Sequence, residues 1–303
     1  MTDSALPLQL SEEVSDAIAS GTGVVALEST IISHGLPTET SAQTAREIEE
    51  EVRRAGAIPA TIAIVDGRIQ VGLTDDALVR VAQDENVVKS SIRDLGVVMA
   101  KGLMGATTVA ATSYIAHLAG IRIFATGGLG GVHRGARDSW DESADLAALG
   151  SVPVTVVCAG VKSILDVPAT LERLESLSVT VVGYRTDTFP GFYIRDTGLP
   201  VPWRIDDAAE IAAMMRHRDA LGLMHGVVVA NPIASGDEMD PALHETTLVA
   251  GLAAAEASRV TGKDVTPFLL AYFHEQTHGA SLDANVALVL SNAALAAQIA
   301  AAR

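Results

Sequence analysis

Short apolar runs alternate with longer amphipathic stretches along most of the chain. The runs are rich in β-branched residues and are followed by polar or small residues, which is typical of strands buried on both faces of a sheet. Strands are therefore predicted at Val24–Leu27, Ile121–Ala125, Val154–Cys158, Val179–Gly183 and Gly226–Ala230.

The stretches between these runs repeat their apolar residues at helical spacing. Helices are predicted at Ser11–Ala19, Thr40–Ala55, Asp75–Gln83, Asp206–Leu221, Leu243–Thr261 and Pro267–Thr277. Asp66-Gly67 predicts a hairpin that joins Thr61–Val65 to Arg68–Val71. The alanine-rich tail Ala284–Ala302 contains several polar residues, so we predict a packed helix rather than a membrane span. Strands that alternate with helices indicate an α/β layered fold.

Composition excludes several classes of function. The 303 residues carry a formal net charge of −16, so we expect no binding to nucleic acid or to an anionic membrane. An anionic substrate would then require a local cluster of cations. Cys158 is the only cysteine, which excludes an intrachain disulfide and favours an intracellular protein. The N-terminal sequence lacks the basic and apolar segments of a signal peptide, so none is expected.

Lys162 follows the predicted strand Val154–Cys158 and has apolar neighbours at Val161, Ile164 and Leu165. Loops at the ends of buried strands are where α/β proteins place ligands. Burial disfavours the charged form of an amine, and a neutral amine can attack a carbonyl carbon. Lys162 is therefore a candidate nucleophile. The alternative is a loop lysine whose ammonium group lies in water.

Glu28 directly follows the predicted strand Val24–Leu27. Burial there would raise the pKa of its carboxyl and suit a general acid. The alternative is a carboxylate that holds a loop by accepting hydrogen bonds from backbone amides.

Two further segments contain groups that suit a phosphate. Lys89, Ser91 and Arg93 alternate and would share one face of an extended segment, where cations and a hydroxyl can bind phosphate. The alternative is a solvated strand edge. Thr126–Gly131 is a glycine-rich loop whose backbone amides can also bind phosphate. This loop is not the dinucleotide fingerprint, because His133 stands in place of the third glycine.

His274-Glu275-Gln276-Thr277-His278 matches the HExxH pattern of zinc proteases, and a helix would place both histidines on one face. We reject a zinc site here. The residues after His278 contain no third His or Glu, and Gly279 indicates that the helix ends there.

A series of motifs spread over nearly the whole chain is more specific to one protein family than the single HExxH match. They are ALESTIISHGLP, KSSIRDL, GATTVAAT, IFATGGLGGVHRG, SADL, VVCAGVKSILD, TLERLE, VVGYRTDTFPGFY, ANPI, TPFLL and SLDAN. In this order they resemble the pseudouridine-5′-phosphate glycosidase family, whose pigment-cluster relatives are called indigoidine synthase A. The resemblance implies a three-layer α/β/α sandwich around a central mixed β-sheet, in a single domain spanning residues 1–303.

The resemblance also implies reversible cleavage of pseudouridine 5′-phosphate to uracil and ribose 5-phosphate, in pseudouridine degradation. The broken bond joins two carbons, and a lysine that adds to the opened sugar makes its cleavage possible through an iminium-type adduct. By resemblance, Lys162 is this nucleophile, Glu28 is the proton donor and Asp141 binds manganese. Substrate contacts are implied for Lys89, Val109, Ser143, Ala144 and Asp145, and less directly for Thr126, His133 and Asn285.

The family precedent further implies a cytoplasmic homotrimer with Mn²⁺ as cofactor and a small-molecule substrate. Glu142 departs from the family pattern, which has an apolar residue there, so it either strengthens metal binding or faces solvent. Two rival functions stay open. One is a C-glycosidase or Schiff-base enzyme acting on another sugar phosphate, and the other is a sugar-phosphate binding protein without catalysis.

Overall fold

The computed structural model of the chain describes residues 7–260, 262 and 265–303. Its strands are β1 Leu8–Leu10, β2 Val24–Leu27, β3 Ile58–Val65, β4 Arg68–Val71, β5 Val88–Ser90, β6 Gly105–Thr107, β7 Ile123–Ala125, β8 Thr155–Cys158, β9 Thr180–Tyr184, β10 Trp203–Ile205 and β11 Val227–Ala230. Its helices are α1 Glu12–Ser20, α2 Thr38–Arg54, α3 Asp75–Gln83, α4 Leu95–Ala100, α5 Val109–Leu118, α6 Ala136–Ser139, α7 Ala144–Leu149, α8 Val167–Ser176, α9 Ala208–Ala220, α10 Pro241–Ala257, α11 Val265–Gln276 and α12 Ala280–Ala302.

The strands form one mixed sheet in the order β1-β4-β3-β2-β7-β8-β11-β9-β10, with β6 beside β3 and β5 beside β6. From β3 to β10 along this order every neighbouring pair is parallel. The pairs β3–β4 and β3–β6 are antiparallel. Helices cover both faces of the sheet, so the predicted three-layer α/β/α sandwich with a mixed sheet is confirmed.

The central strands are apolar runs because both of their faces are buried. Every residue of β2, β8 and β11 is buried, and all of them except Thr155 belong to the main hydrophobic core. Helix α12 packs against β2, β7 and β8, and also against α2 and α9. By length and composition α12 could cross a membrane, but 61% of its most apolar window is buried within the protein. The prediction of a packed C-terminal helix is confirmed.

The prediction that Lys89, Ser91 and Arg93 lie in one extended segment is wrong, because strand β5 ends at Ser90. The Asp94 carboxylate accepts a hydrogen bond from the Ser91 amide at 2.9 Å, and a short 3-10 helix at Ile92–Asp94 follows. Lys89, Ser91 and Arg93 therefore do not share one face of a strand. Helix α10 ends at Ala257, earlier than predicted, and the predicted end at Thr261 lies outside the described residues.

Candidate active site

Three neighbouring parallel strands bring Glu28, Thr126 and Lys162 to one edge of the sheet. Strands β2, β7 and β8 lie side by side, with Leu27, Ala125 and Val157 in register near their carboxyl ends. Glu28 and Thr126 directly follow β2 and β7, and Lys162 follows β8. Because the carboxyl ends of parallel strands meet at one edge, these three side chains converge there. This is the edge at which the sequence predicted a ligand.

A cavity of about 460 Å³ opens at this edge. It is lined by most of the residues that the sequence singled out, namely Glu28, Lys89, Val109, His133, Asp141, Ser143, Ala144, Asp145 and Lys162. The remaining two lie beside it. Thr126 donates a hydrogen bond to Glu28, and Asn285 lines a smaller chamber that also contacts Glu28, Lys89 and Lys162.

Glu28 is buried, with 8% of its surface exposed. Burial raises the pKa of its carboxyl, because a charged carboxylate is poorly solvated there. The Lys162 ammonium and the Thr126 hydroxyl, which donates to Glu28 Oε1, oppose this rise. The hydrogen-bond partner of Glu28 in the described part of the chain is thus a side-chain hydroxyl and not a backbone amide. This environment favours a proton donor over the alternative of a loop-holding carboxylate.

Thr126 is held in place from the opposite side by helix α12. The side-chain amide of Asn292 donates to the Thr126 carbonyl oxygen at 2.8 Å, and Asn292 accepts from the side-chain amide of Asn231 at 2.9 Å. Asn292 is fully buried, so these hydrogen bonds form in an interior where polar groups need partners. Asn292 thereby positions the loop from which Thr126 reaches Glu28.

The backbone on either side of Lys162 is fixed by the glycine-rich loop. The Lys162 amide donates to the Leu129 carbonyl at 3.1 Å, and the Leu129 amide donates to the Gly160 carbonyl at 2.9 Å. Gly160 has a φ of +89°, and a Cβ atom there would lie 2.2 Å from the Pro190 carbonyl oxygen, so only glycine fits. Val161, Ile164 and Leu165 are buried, as predicted, while Lys162 itself is half-buried and extends into the cavity.

Asp145 links two backbone segments of the cavity wall. Its two carboxylate oxygens accept hydrogen bonds from the amides of Ala110 and Gly130, each at 2.9 Å. Ala110 lies in the first turn of α5, so the same contact fixes the neighbouring Val109 at the cavity. A Cβ atom at Gly130 would lie 2.3 Å from the Ser143 hydroxyl, which explains the glycine. Asp145 therefore organises the wall as well as lining it.

The cavity contains the local group of cations that an anionic substrate requires. Lys89, Arg93 and Lys162 line it, together with the hydroxyl-bearing residues Ser91 and Thr108. Thr108 caps the N-terminus of α5, and the anion that the helix dipole favours there is the Asp145 carboxylate. Lys89, Ser91 and Arg93 thus line the same cavity, as expected for a phosphate site. The extended strand that was predicted to align them does not form.

Asp141 and His133 lie together at the cavity wall. The His133 amide donates to the Asp141 carbonyl at 3.0 Å, and His133 Nδ1 lies 3.7 Å from Asp141 Oδ2. Burial lowers the pKa of His133 and the Asp141 carboxylate partly opposes this, so the imidazole is neutral at neutral pH. Glu142 does not share the position of Asp141, because its carboxylate accepts a 3.0 Å hydrogen bond from Arg173.

The HExxH pattern does not form a zinc site. Helix α11 ends at Gln276, and His278 lies beyond it with a φ of 51°. The expectation that His274 and His278 share one helix face is therefore wrong, although the rejection of zinc stands. Within residues 7–260, 262 and 265–303, no group of three or more His, Cys, Asp or Glu side chains could hold a metal ion.

Several residues that line the chamber beside Lys162 have no individual role predicted from the sequence. They are Thr30, Ile31, Phe192, Thr266, Pro267 and Leu270. Phe192 comes from the motif VVGYRTDTFPGFY and Pro267 from TPFLL, so the motifs contained the signal. Only the fold shows that these residues line the same chamber as Glu28.

Comparison with known proteins places the chain in a family. The family model described as Indigoidine synthase A like protein matches residues 13–302. The chain belongs to this family. Similar proteins named pseudouridine-5′-phosphate glycosidase include one from Salinispora tropica, which is 57% identical over 96% of this chain and 90% of its own length. Another, from Frankia alni, is 56% identical over 97% of this chain and 81% of its own length.

Two solved structures of the indigoidine synthase A-like fold superpose closely on the chain. The prealnumycin C-glycosynthase AlnA, solved in complex with ribulose 5-phosphate, is 40% identical, with a TM-score of 0.89 over 97% of this chain and 96% of AlnA. An indigoidine synthase A-like protein from Thermotoga maritima is 35% identical, with a TM-score of 0.89 over 99% of this chain and 98% of that protein. The resemblance stated from the motifs is confirmed at the level of family and fold.

Proposed function

We propose that this chain is a pseudouridine-5′-phosphate glycosidase that cleaves its substrate reversibly to uracil and ribose 5-phosphate, and that it acts in pseudouridine degradation. The observation that carries the proposal is the buried Glu28, with its raised pKa, beside Lys162 in one cavity. A sugar-phosphate binding protein without catalysis needs no buried acid next to an amine. The names of the relatives support the choice of substrate.

In the proposed reaction Glu28 donates its proton to the ring oxygen of the sugar, which opens the ring. The Lys162 amine forms a bond to the former anomeric carbon and loses a proton, which the Glu28 carboxylate takes up. The carbon–carbon bond then breaks, its electron pair stays with the uracil ring as the ring carbon takes up a proton, and the nitrogen lone pair forms an iminium ion. Water hydrolyses the iminium ion, which releases ribose 5-phosphate and restores Lys162.

The two ends of the site suit the two halves of the substrate. Lys89 and Arg93 offer positive charge to the phosphate in the larger cavity. The smaller chamber, with Phe192 and Leu270, offers a largely apolar surface to the flat uracil ring. Glu28 and Lys162 line both spaces, so the bond to be broken would lie between them.

We further propose that Asp141 holds a Mn²⁺ ion. A single carboxylate beside a neutral imidazole fits an ion that keeps much of its water shell, and does not fit an all-protein cage. When bound, the ion would supply positive charge that stabilises the anionic substrate. The His133 amide donates a hydrogen bond to the Asp141 carbonyl, and this contact fixes the backbone at Asp141.

Replacing Asp141 by Asn should weaken Mn²⁺ binding by about 10-fold or more, because the anionic ligand is lost while the side-chain shape is kept. Electron paramagnetic resonance of free Mn²⁺ in a titration measures the affinity without reference to activity. Glu142→Gln is the matched control, since Glu142 lies next in sequence but is paired with Arg173. Equal weakening by both substitutions would contradict the assignment of Asp141.

The proposed function is tested by incubating the intact protein with pseudouridine 5′-phosphate and Mn²⁺ and measuring uracil and ribose 5-phosphate in equal amounts. Pseudouridine without the phosphate is the control, and we expect it to react much more slowly because it lacks the phosphate that the cationic residues of the cavity would bind. A folded protein that releases no uracil would contradict the proposal and favour another sugar phosphate as substrate. We also propose that the protein is a homotrimer and is cytoplasmic. Light scattering tests the subunit number, and fractionation of the producing cells tests the location.

A further inference from the structure

Asn292 is a fully buried polar residue in helix α12, where the next residue, Ala293, is fully buried as well. Burying an amide costs free energy unless its polar atoms are hydrogen-bonded. The Asn292 side chain accepts from Asn231 and donates to the carbonyl oxygens of Thr126 at 2.8 Å and Gly127 at 3.4 Å. An apolar residue would pack in this helix without such partners, so the hydrogen bonds rather than the packing explain an asparagine here.

The two asparagines connect the ends of three neighbouring strands. Asn231 directly follows β11, and its backbone amide donates to the carbonyl of Cys158, the last residue of β8, at 2.8 Å. Thr126 directly follows β7. The hydrogen-bonded chain Asn231–Asn292–Thr126 therefore crosses β8 at the edge of the sheet that contains the candidate active site.

Thr126 extends this chain to Glu28. The Thr126 amide donates to the Val157 carbonyl at 3.0 Å, and the Thr126 carbonyl oxygen is held by Asn292. These two hydrogen bonds fix the backbone of Thr126, and the χ1 angle of a β-branched residue is restricted, so the backbone largely sets where the hydroxyl points. The hydroxyl donates to Glu28 Oε1. Burial raises the pKa of the Glu28 carboxyl, and the Lys162 ammonium and this hydrogen bond oppose the rise.

Other charged and titratable side chains also surround Glu28. Lys89, Asp145 and Lys162 act on its carboxyl through their charge, and the two spaces of the site are further lined by His34, Arg93, His133, Asp141 and Glu142. Asn231 and Asn292 line neither space. Their connection to Glu28 in the described part of the chain runs through Thr126, so replacing them leaves the surrounding charges in place.

We infer that Asn231 and Asn292 are positioning residues, which hold the Thr126 hydroxyl on Glu28 and so set how readily this carboxyl gives up its proton. The inference rests on the proposed function, in which Glu28 is the proton donor. Without the hydrogen bond from Thr126 the carboxyl would keep its proton to a higher pH and would be less well oriented toward the ring oxygen of the sugar.

The test compares Asn292→Leu, Thr126→Val and the double variant, because each substitution nearly keeps the shape of the side chain and removes its hydrogen bonds. Carbon-13 NMR of the glutamate carboxyls records the titration of Glu28 without reference to turnover, and Glu28→Gln identifies its signal. We expect each single substitution to move the titration midpoint to higher pH and to lower the rate of uracil release by about 10-fold or more. The double variant should titrate like Thr126→Val alone, because both substitutions remove the same hydrogen bond from Glu28.

Ser291→Ala is the matched control. Ser291 precedes Asn292 in α12 and accepts a hydrogen bond from the Asn231 side chain at 3.1 Å, so its replacement leaves the hydrogen bond between the two asparagines in place. The Glu28 titration should then match that of the intact protein. If Asn292→Leu does not fold, Asn231→Ala takes its place, because it removes the donor to Asn292, and a smaller shift to higher pH is expected.

An unchanged Glu28 titration in Asn292→Leu, or in Asn231→Ala where that variant decides, would overturn the inference and leave the asparagines a role in stability alone. Shifts that add in the double variant would overturn it as well, since Asn292 would then act on Glu28 by a route other than Thr126. A shifted titration in a protein that releases no uracil would contradict the proposed function and support the positioning of Glu28 by the asparagines.

Discussion

Replacing Lys162 by Ala should lower the rate of uracil release on the order of 10⁴-fold or more, because the covalent route is lost with its nucleophile. Lys162→Arg should be nearly as inactive, since a guanidinium keeps the charge but does not form an iminium ion. The fold should survive both changes, because the Lys162 side chain is only half-buried at a cavity. The hydrogen bonds that fix this segment join backbone groups. The measurement is initial rate under saturating Mn²⁺.

Lys101→Ala is the control for a general effect of losing a lysine, because Lys101 is exposed and lines neither space of the site. It should retain the rate of the intact protein. Uracil release at the full rate by Lys162→Ala would rule out the covalent lysine and leave the choice of substrate standing.

The same step predicts a covalent species that can be trapped. Ribose 5-phosphate and borohydride should add one reduced sugar phosphate to the intact protein, visible as a mass increase that maps to the peptide containing Lys162. Lys89 lines the same cavity and is the amine that could compete. We therefore expect Lys89→Ala to be trapped, even if it binds sugar phosphate more weakly, and Lys162→Ala not to be. The reverse pattern would assign the adduct to Lys89.

The strands and the edge that holds the site could be predicted because the signal is local. A strand buried on both faces has to be an apolar run, and Val24–Leu27 is predicted with the bounds that the structure gives. A polar residue that directly follows such a run, like Glu28, lies at the carboxyl end of the sheet. The HExxH pattern is also local, but it says little about function because no third zinc ligand follows it in the sequence. Helix α11 ends at Gln276, before His278.

The contacts between distant segments could not be predicted from one sequence. Asn292 holds the Thr126 carbonyl across 166 positions, and Arg173 pairs with Glu142 across 31 positions. Asp145 was expected to contact substrate by resemblance, whereas its hydrogen bonds to two backbone amides depend on the packing of α7 against α5. The helical turn at Ile92–Asp94 replaced the expected strand because the Asp94 carboxylate offers the Ser91 amide a local partner.

Replacing Glu28 by Gln should lower the rate of uracil release by about 10²- to 10⁴-fold, because an amide keeps the shape and cannot donate the proton that opens the ring. The intact protein should lose activity on the alkaline side as Glu28 loses its proton, and its raised pKa places this loss above the range of an ordinary glutamate. The variant should lack this alkaline limb. Glu142→Gln should retain it, because Glu142 is the cavity carboxylate held by Arg173.

Glu28 also makes the stability of the folded protein depend on pH, and its raised pKa determines whether stability rises or falls as the pH increases. The folded protein holds the Glu28 proton more strongly than the unfolded chain does, so this contribution to stability is full below the unfolded pKa and is lost as the pH rises through the folded pKa. Glutamine does not titrate. The free energy of unfolding of Glu28→Gln, relative to that of the intact protein, should therefore rise between about pH 4 and about pH 8. Urea unfolding at both pH values measures the difference. A constant difference would mean that Glu28 has an ordinary pKa, in which case a carboxyl group at this position would be ionised at neutral pH and unable to donate the proton.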